Sequence, residues 1–190
     1  MPRTAAEDTR ARILDAAHRL FYAHGVQAVG IARVAEEAGC GKNLLYREFP
    51  SKDALVAAYL RAFAERRAVA TTAALAPYDG DPAGALVALA REVGDRLRER
   101  AFQGCAFRNY LREIRAYDDE PGRVATRWIA DARQQVDDLA GRLDVTDPTD
   151  VGERVWLVLE GLYASVPYPG RARAGDAAVA LVEELVGNAR

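Results

Sequence analysis

The chain has 190 residues, half of them apolar, with 26 Lys+Arg against 28 Asp+Glu. That is enough apolar material to bury the core of one domain or two small ones, which excludes a disordered tail, and a net charge of −2 excludes a general nucleic-acid coat. The charge is unevenly spread: residues 1–67 carry 11 Lys+Arg and 8 Asp+Glu, residues 68–190 carry 15 and 20, so a mildly basic N-terminal third on an acidic body permits a DNA-facing end.

Helical periodicity runs through the whole chain and no alternating β-branched run reads as strand, so the expected fold class is all-α. In "RARILDAAHRLFYAHG", Ile13, Leu14, Ala17, Leu20 and Phe21 recur at three- and four-residue spacing, and Gly25 stands where a helix C-cap is expected. Thr4 and Glu7 have capping-box spacing, so this helix starts between about residues 5 and 10. "IARVAEEAG" gives a second helix of barely two turns, with Ile31, Val34, Ala35 and Ala38 on one face and Gly39 closing it. "KNLLYREF" gives a third, short one, followed by Pro50 and by Ser51 as N-cap of a long helix from "KDALVAAYLRAFAERR" onward.

The turn cluster "PYDGDP" follows, and further helices are expected at about 82–100, 104–116, 121–143, 148–166 and 175–188. The domain boundary is placed near the start of the long helix, giving a head of residues 1–55 and a body of residues 56–190. No internal repeat or low-complexity segment interrupts this order.

Two short helices joined by "AGCG" after a longer one match a helix-turn-helix, whose second short helix lies in the DNA major groove. On a helical wheel Leu45 and Phe49 share one face and can anchor this helix. Asn43, Tyr46 and Arg47 point outward with donors and acceptors suited to phosphates and base edges. Lys42 and Leu44 lie on the two borders; the lysine can still reach DNA, and the leucine can pack or touch a thymine methyl. A solvated surface helix would show the same periodicity.

The ordered stretch "ILDAAHRLFYAHGVQAVGIARVAEEAGCGKNLLYREFPSKDALV" resembles the DNA-binding domain of the tetracycline-repressor (TetR) family, with Gly25, "VAEEAG", "LY..F" and "SKDAL" in that family's order. The resemblance covers residues 10–60 and implies that Tyr46 and Lys52 hold phosphates while Lys42, Asn43 and Arg47 lie at or beside the groove. Phosphate contacts would then set affinity and salt dependence, and base contacts would set sequence choice. The chain departs from the family at Val29 and Gly30, where Thr or Ser is common before the second helix, and at Gly41, where a Ser commonly caps the third. It departs again at Leu44, which replaces a hydroxyl that often donates to phosphate. Gly costs little at an N-cap, so Val29 is the more puzzling change.

The body resembles the ligand-binding and dimerisation part of such a regulator, and "FQGCAFRNYLREI" with "WIADARQQVDDL" is similar to a subgroup with a Gly-Cys-x-Phe-x-Asn helix start whose effectors are diverse. Cys105, Phe107, Asn109, Tyr110, Trp128, Trp156 and Tyr163 combine apolar surface with few polar handles, the chemistry of a small-molecule pocket, although each one singly reads as plain core. Cys105 is a small buried apolar residue or a reactive thiol with Arg108 as the activating cation. Apolar stripes in the last two helices, Val155, Leu159, Leu162 and Val166 with Val179, Val182, Leu185 and Val186, could be buried in a monomer. They fit a four-helix homodimer interface better.

Cys40 and Cys105 are far apart and have no CxxC or histidine pair beside them, so no disulfide framework, metal or other cofactor is implied. His18 and His24 read as surface or boundary residues. No apolar run reaches the roughly 20 residues that cross a bilayer and the N-terminus lacks the apolar block of a secretion signal, so no membrane association and a cytoplasmic location are expected.

The leading expectation is a one-component transcriptional regulator, a repressor, that binds palindromic double-stranded DNA as a homodimer and is released by a small-molecule effector. A helical ligand-binding protein with a vestigial DNA-binding head is the alternative. A small helical enzyme lacks a Ser/His/Asp order, a close acid pair, a phosphate loop or an HExxH; Glu113 and Glu160 are single carboxylates that could cap, pair or bind ligand.

Overall fold

Ile13, Ala16, Ala17, Leu20 and Phe21 all fall on the buried side of one helix, α1 (Ala5–His24). It stops where Gly25 takes the left-handed conformation (φ 81°) and donates its N–H to the Phe21 carbonyl oxygen at 2.9 Å. The computed structural model describes residues 5–187; the Thr4/Glu7 capping box lies outside the described residues. In chain order follow α2 (Ile31–Glu37), α3 (Lys42–Glu48), α4 (Lys52–Leu75), a 3₁₀ turn (Ala76–Tyr78), α5 (Pro82–Arg96), α6 (Ala106–Ile114), α7 (Glu120–Ala140), α8 (Pro148–Ala164) and α9 (Arg171–Gly187). Among the described residues all regular structure is helical, and the fold is all-α with an N-terminal helix-turn-helix. None of these helices is long and apolar enough to cross a membrane.

Local chemistry sets the helix starts. Ser51 Oγ accepts from Ala54 N at 3.0 Å as the expected cap of α4. Asp81 and Asp147 cap α5 and α8 through Gly84 N (2.9 Å) and Asp150 N (3.0 Å), each followed by a proline at the first helical position. α9 begins at Arg171, earlier than the expected 175. Gly170 (φ 77°) turns the chain, and the Arg171 guanidinium donates to the carbonyl oxygens of Glu99, Phe102 and Val166 at 2.7, 3.1 and 3.2 Å, which fixes the helix's first residue.

The chain packs as two compact units. The first comprises the residues up to Glu65 together with Cys105–Trp128, so α6 and the start of α7 pack with the helix-turn-helix. Its aromatic side chains form a continuous ladder. His18 and Tyr22 of α1 meet Tyr59 and Phe63 of α4, Phe63 meets Phe107 of α6 edge-on at 5.5 Å, and Phe107 stacks on Trp128 of α7 at 4.3 Å. His18 is therefore a half-buried member of the ladder, whereas His24 is exposed with Nε2 at 3.2 Å from the Arg33 guanidinium.

The second unit comprises Arg66–Gly104 and Ile129 onward. Its core is built by α5, α8 and α9 around Leu86, Ala90, Leu97, Val155, Leu162 and Val182. α5 and α9 approach closely at a pair of glycines: a Cβ on Gly175 would lie 2.8 Å from the Gly94 carbonyl oxygen.

This packing corrects the expected dimer stripes. Val155, Leu159, Leu162 and Val182 are buried inside the unit, and Val166, Val179, Leu185 and Val186 pack against the same core. The large apolar side chains that α8 and α9 leave exposed are Leu157 and Leu181. Both helices are apolar on more than one face, and periodicity alone does not say which face turns inward.

Candidate nucleic-acid interface

α3 is short because its sequence leaves little to continue it: Phe49 adopts an extended backbone and Pro50 follows. Its start rests on Gly41, whose carbonyl accepts from Leu44 N and Leu45 N at 3.0 and 3.1 Å; α2 starts in the same way on Gly30. Neither has a side-chain cap. The turn between them closes through Gly39 (φ 63°) and a hydrogen bond from Cys40 N to Ala35 O at 2.9 Å.

Leu45 and Phe49 are fully buried, as the wheel predicts, and with Val34, Ala35 and Ala38 they fix α2 and α3 to α1. Val29, which replaces a common capping hydroxyl, is also completely buried, so it contributes core packing where a hydroxyl would have capped. A second anchor comes from α1. The Arg10 guanidinium lies 4.2 Å from the centroid of the Phe49 ring and donates to the Glu48 carbonyl oxygen at 2.8 Å, a cation at the C-terminal end of α3.

Lys42, Asn43, Tyr46 and Arg47 are exposed, Tyr46 to 47%. Leu44 is half-buried on the border of the face, and Lys52, the first residue of α4, is also half-buried. Arg47 Nε comes no closer than 3.7 Å to Glu48 Oε1, a weak contact that leaves its donors available. The outcome is one small helix held by its apolar side, with cationic, amide and phenol groups on the other, the donor set that phosphate oxygens and base edges accept.

The residues expected at a ligand site divide between the two units. Cys105, Phe107, Asn109, Tyr110 and Trp128 belong to the first, and Trp156 and Tyr163 to the second. Phe107 is fully buried between Phe63 and Trp128. Cys105 is buried as the N-cap residue of α6, with its sulfur 3.4 Å from Arg108 Nη1, and Asn109 is half-buried. The Tyr110 hydroxyl donates to Asp119 Oδ2 at 2.8 Å, and Asp119 Oδ1 accepts from Gly122 N at 2.6 Å. Burial, then that hydrogen bond, then the negative charge of Asp119 raise the Tyr110 pKa far above that of an ordinary tyrosine.

In the second unit Trp156 and Tyr163 lie partly buried against the core, with the Arg133 guanidinium 5.7 Å from the Trp156 ring. Arg133 is held charged by its hydrogen bonds to Asp137 and then Glu153. The sequence pattern did not reveal an open groove of about 770 Å³ in this unit, bounded by Leu75, Tyr78, Ala85, Asp131, Gln134 and Arg142 among others. It arises where the end of α4 and the 3₁₀ turn meet α7, a juxtaposition of residues some 60 apart that periodicity does not encode.

Glu113 is the other feature missed as a site. Its Oε2 accepts from Val26 N at 2.9 Å, its Oε1 accepts from Gln27 N at 2.6 Å, and its backbone oxygen accepts from Gln27 Nε2 at 3.1 Å. This carboxylate caps no helix start; it pairs with backbone amides of the α1–α2 loop.

Residues 13–59 match the family model for bacterial regulatory proteins of the tetR family. The HTH-type transcriptional regulator Rv1255c of Mycobacterium tuberculosis is 29% identical over 183 residues, covering 88% of this chain and 79% of that one. The crystal structure of SCO4454, a TetR-family transcriptional regulator from Streptomyces coelicolor, superposes with a TM-score of 0.86 at 28% identity and covers 96% of each chain. That of the multidrug binding protein EbrR complexed with malachite green superposes with a TM-score of 0.70 at 26% identity, covering 93% of this chain and 96% of that one. Its N-terminal helix-turn-helix thus matches the tetR-family model, and over most of its length the chain is similar to transcriptional regulators of that family.

Proposed function

We propose that this chain is a transcriptional repressor that binds palindromic operator DNA as a homodimer through α3 and is released by a small molecule bound in its helical body. The observation that carries the reading is the division of α3 into a buried Leu45/Phe49 side and an exposed Lys42, Asn43, Tyr46 and Arg47 side. In this account Tyr46 and Lys52 hold phosphates, Asn43 and Arg47 read base edges, Lys42 reaches DNA from the helix start, and Leu44 packs or touches a thymine methyl. Residues 1–55 form the reading head and residues 56–190 the body. A dimer seated on its operator represses by occupying DNA that transcription needs.

The homodimer reading is supported by α8 and α9. Leu157 and Leu181 are 60% and 46% exposed and flank a shallow apolar groove of about 410 Å³ floored by small residues, among them Gly161, Ala174 and Ala177. Leucines beside small residues form a self-complementary surface of the kind a two-fold interface uses. A small-molecule effector is supported by the likeness to EbrR, a multidrug binding protein solved with malachite green. Two separate sets of residues are the candidate contacts: Phe107, Asn109 and Tyr110 of α6 with Cys105 just before it and Trp128 of α7 in the first unit, or Trp156 and Tyr163 in the second. The ligand would act by favouring a state whose two reading heads no longer fit adjacent grooves.

Selection from random double-stranded DNA tests the reading. The expected product is a two-fold symmetric sequence with half-sites about one helical turn apart, protected by two chains per site. Enrichment of an asymmetric site by a single chain contradicts the homodimer, and no enrichment contradicts DNA reading.

A further inference from the structure

Glu113 stands in the last turn of α6, yet it holds the loop between α1 and α2, 86 and 87 positions away in sequence. The Val26 and Gln27 amides that it accepts from lie just ahead of α2, which starts at Gly30 with no side-chain cap of its own. A side chain from α6 thus satisfies two backbone donors of the loop that leads into α2. The fit leaves no slack. Gly25 adopts φ 81°, and a Cβ there would lie 2.8 Å from Glu113 Oε1. A carboxylate accepting two N–H groups makes charge-assisted hydrogen bonds, stronger than neutral ones and directional.

α6 is also fixed elsewhere along its length. Tyr110, one turn before Glu113, donates to Asp119, whose other oxygen accepts from Gly122 N at the start of α7. Phe107, a turn earlier, is clamped between Phe63 and Trp128. The helix ends at once after Glu113, where Arg115 takes a left-handed conformation (φ 56°). All of these residues belong to one compact unit. A shift of α6 along its axis is therefore felt at the loop that sets the entry of α2, and α2 carries α3.

We infer that Glu113 is a positioning residue for DNA reading: its carboxylate latches the α1–α2 loop to α6 and so sets how α2 and α3 are presented to DNA. It touches no DNA itself. The inference rests on the DNA-reading function proposed above. It adds a named connection from α6 to the reading head.

The test compares wild-type full-length chain with Glu113→Gln and Glu113→Ala. Gln keeps one acceptor oxygen and turns an NH₂ toward the second amide, and Ala removes the carboxylate altogether. Two readouts are taken: hydrogen exchange of the Val26 and Gln27 amides, and affinity for the DNA selected by wild type against affinity for scrambled DNA. A latch predicts that both amides exchange faster. It also predicts that the ratio of specific to non-specific affinity falls about tenfold in Glu113→Ala and less in Glu113→Gln, scrambled-DNA binding being retained.

Unchanged exchange at both amides overturns the latch. Faster exchange with an unchanged ratio overturns its role in reading. Equal loss of both affinities together with a lower unfolding temperature means Glu113 only stabilises the fold, which also overturns the inference. Failure of the DNA-reading function itself would show in the wild-type chain, before any variant is made, as no DNA selected at all.

Discussion

Arg67 and Glu92 form a bidentate ion pair, Nη1 to Oε1 at 2.6 Å and Nη2 to Oε2 at 2.5 Å, with side chains only 10% and 16% exposed. The parallel geometry makes this the strongest kind of guanidinium–carboxylate contact, but both ions are taken out of water to form it. Glu92→Ala, which leaves the buried guanidinium without its carboxylate, is expected to lower stability by about 3 kcal/mol in urea unfolding. Replacing both partners by apolar residues (Arg67→Met with Glu92→Leu) is expected to cost much less. A double replacement as damaging as the single one would mean that the pair contributes net stability.

The α5–α9 contact at Gly94 and Gly175 makes a second prediction. A Cβ at Gly175 meets backbone atoms, the Gly94 oxygen at 2.8 Å and Cα at 3.0 Å, and backbone cannot rotate out of the way. Gly175→Ala is therefore expected to destabilise by about 1–3 kcal/mol although alanine is the better helix former. Thermal unfolding of the variant checks this, and a stability at or above wild type would show that α5 and α9 separate freely.

Tyr110 gives the chain an alkaline limit. Its pKa is raised in the folded state, by burial first and by Asp119 next. A raised pKa means that the stability it contributes is fully present below the unfolded tyrosine value of about 10 and is lost as pH climbs from there toward the folded value. Wild type should lose roughly 1 kcal/mol more per pH unit above about 10 than Tyr110→Phe does. Parallel pH curves for the two proteins would contradict this.

The proposed dimer face is testable without DNA. Leu157→Asp or Leu181→Asp puts a charge on an exposed position of α8 or α9 and should give a folded monomer in sedimentation velocity. Val155→Asp, at a fully buried position, should instead unfold the chain. A dimer that survives both leucine changes would place the interface elsewhere.

These residues also show how far the sequence could be read. The span of α3 and the burial of Leu45 and Phe49 were legible because a short amphipathic helix between glycine and proline admits few arrangements. Ser51 as the cap of α4 was legible because a cap is a local contact, three residues long. The Glu113 latch was not, since nothing in residues 25–27 announces a carboxylate from residue 113. The outward face of α8 and α9 was misread because both helices are apolar on more than one face, and only packing decides that Val155 and Val182 turn inward while Leu157 and Leu181 do not. Val29 looked like a lost cap and is a core residue.

In the proposed function the exposed face of α3 reads DNA. Fluorescence anisotropy of the full-length chain on the DNA it selects, with scrambled competitor at low and moderate salt, tests it most directly when run with four variants. Tyr46→Ala and Lys52→Ala should weaken binding to every sequence, the lysine change with a shallower salt slope. Asn43→Ala and Arg47→Ala should cost about 1–3 kcal/mol on the selected site and relax its sequence preference. Equal effects of all four changes on all sequences, or none from any of them, would contradict DNA reading by this face.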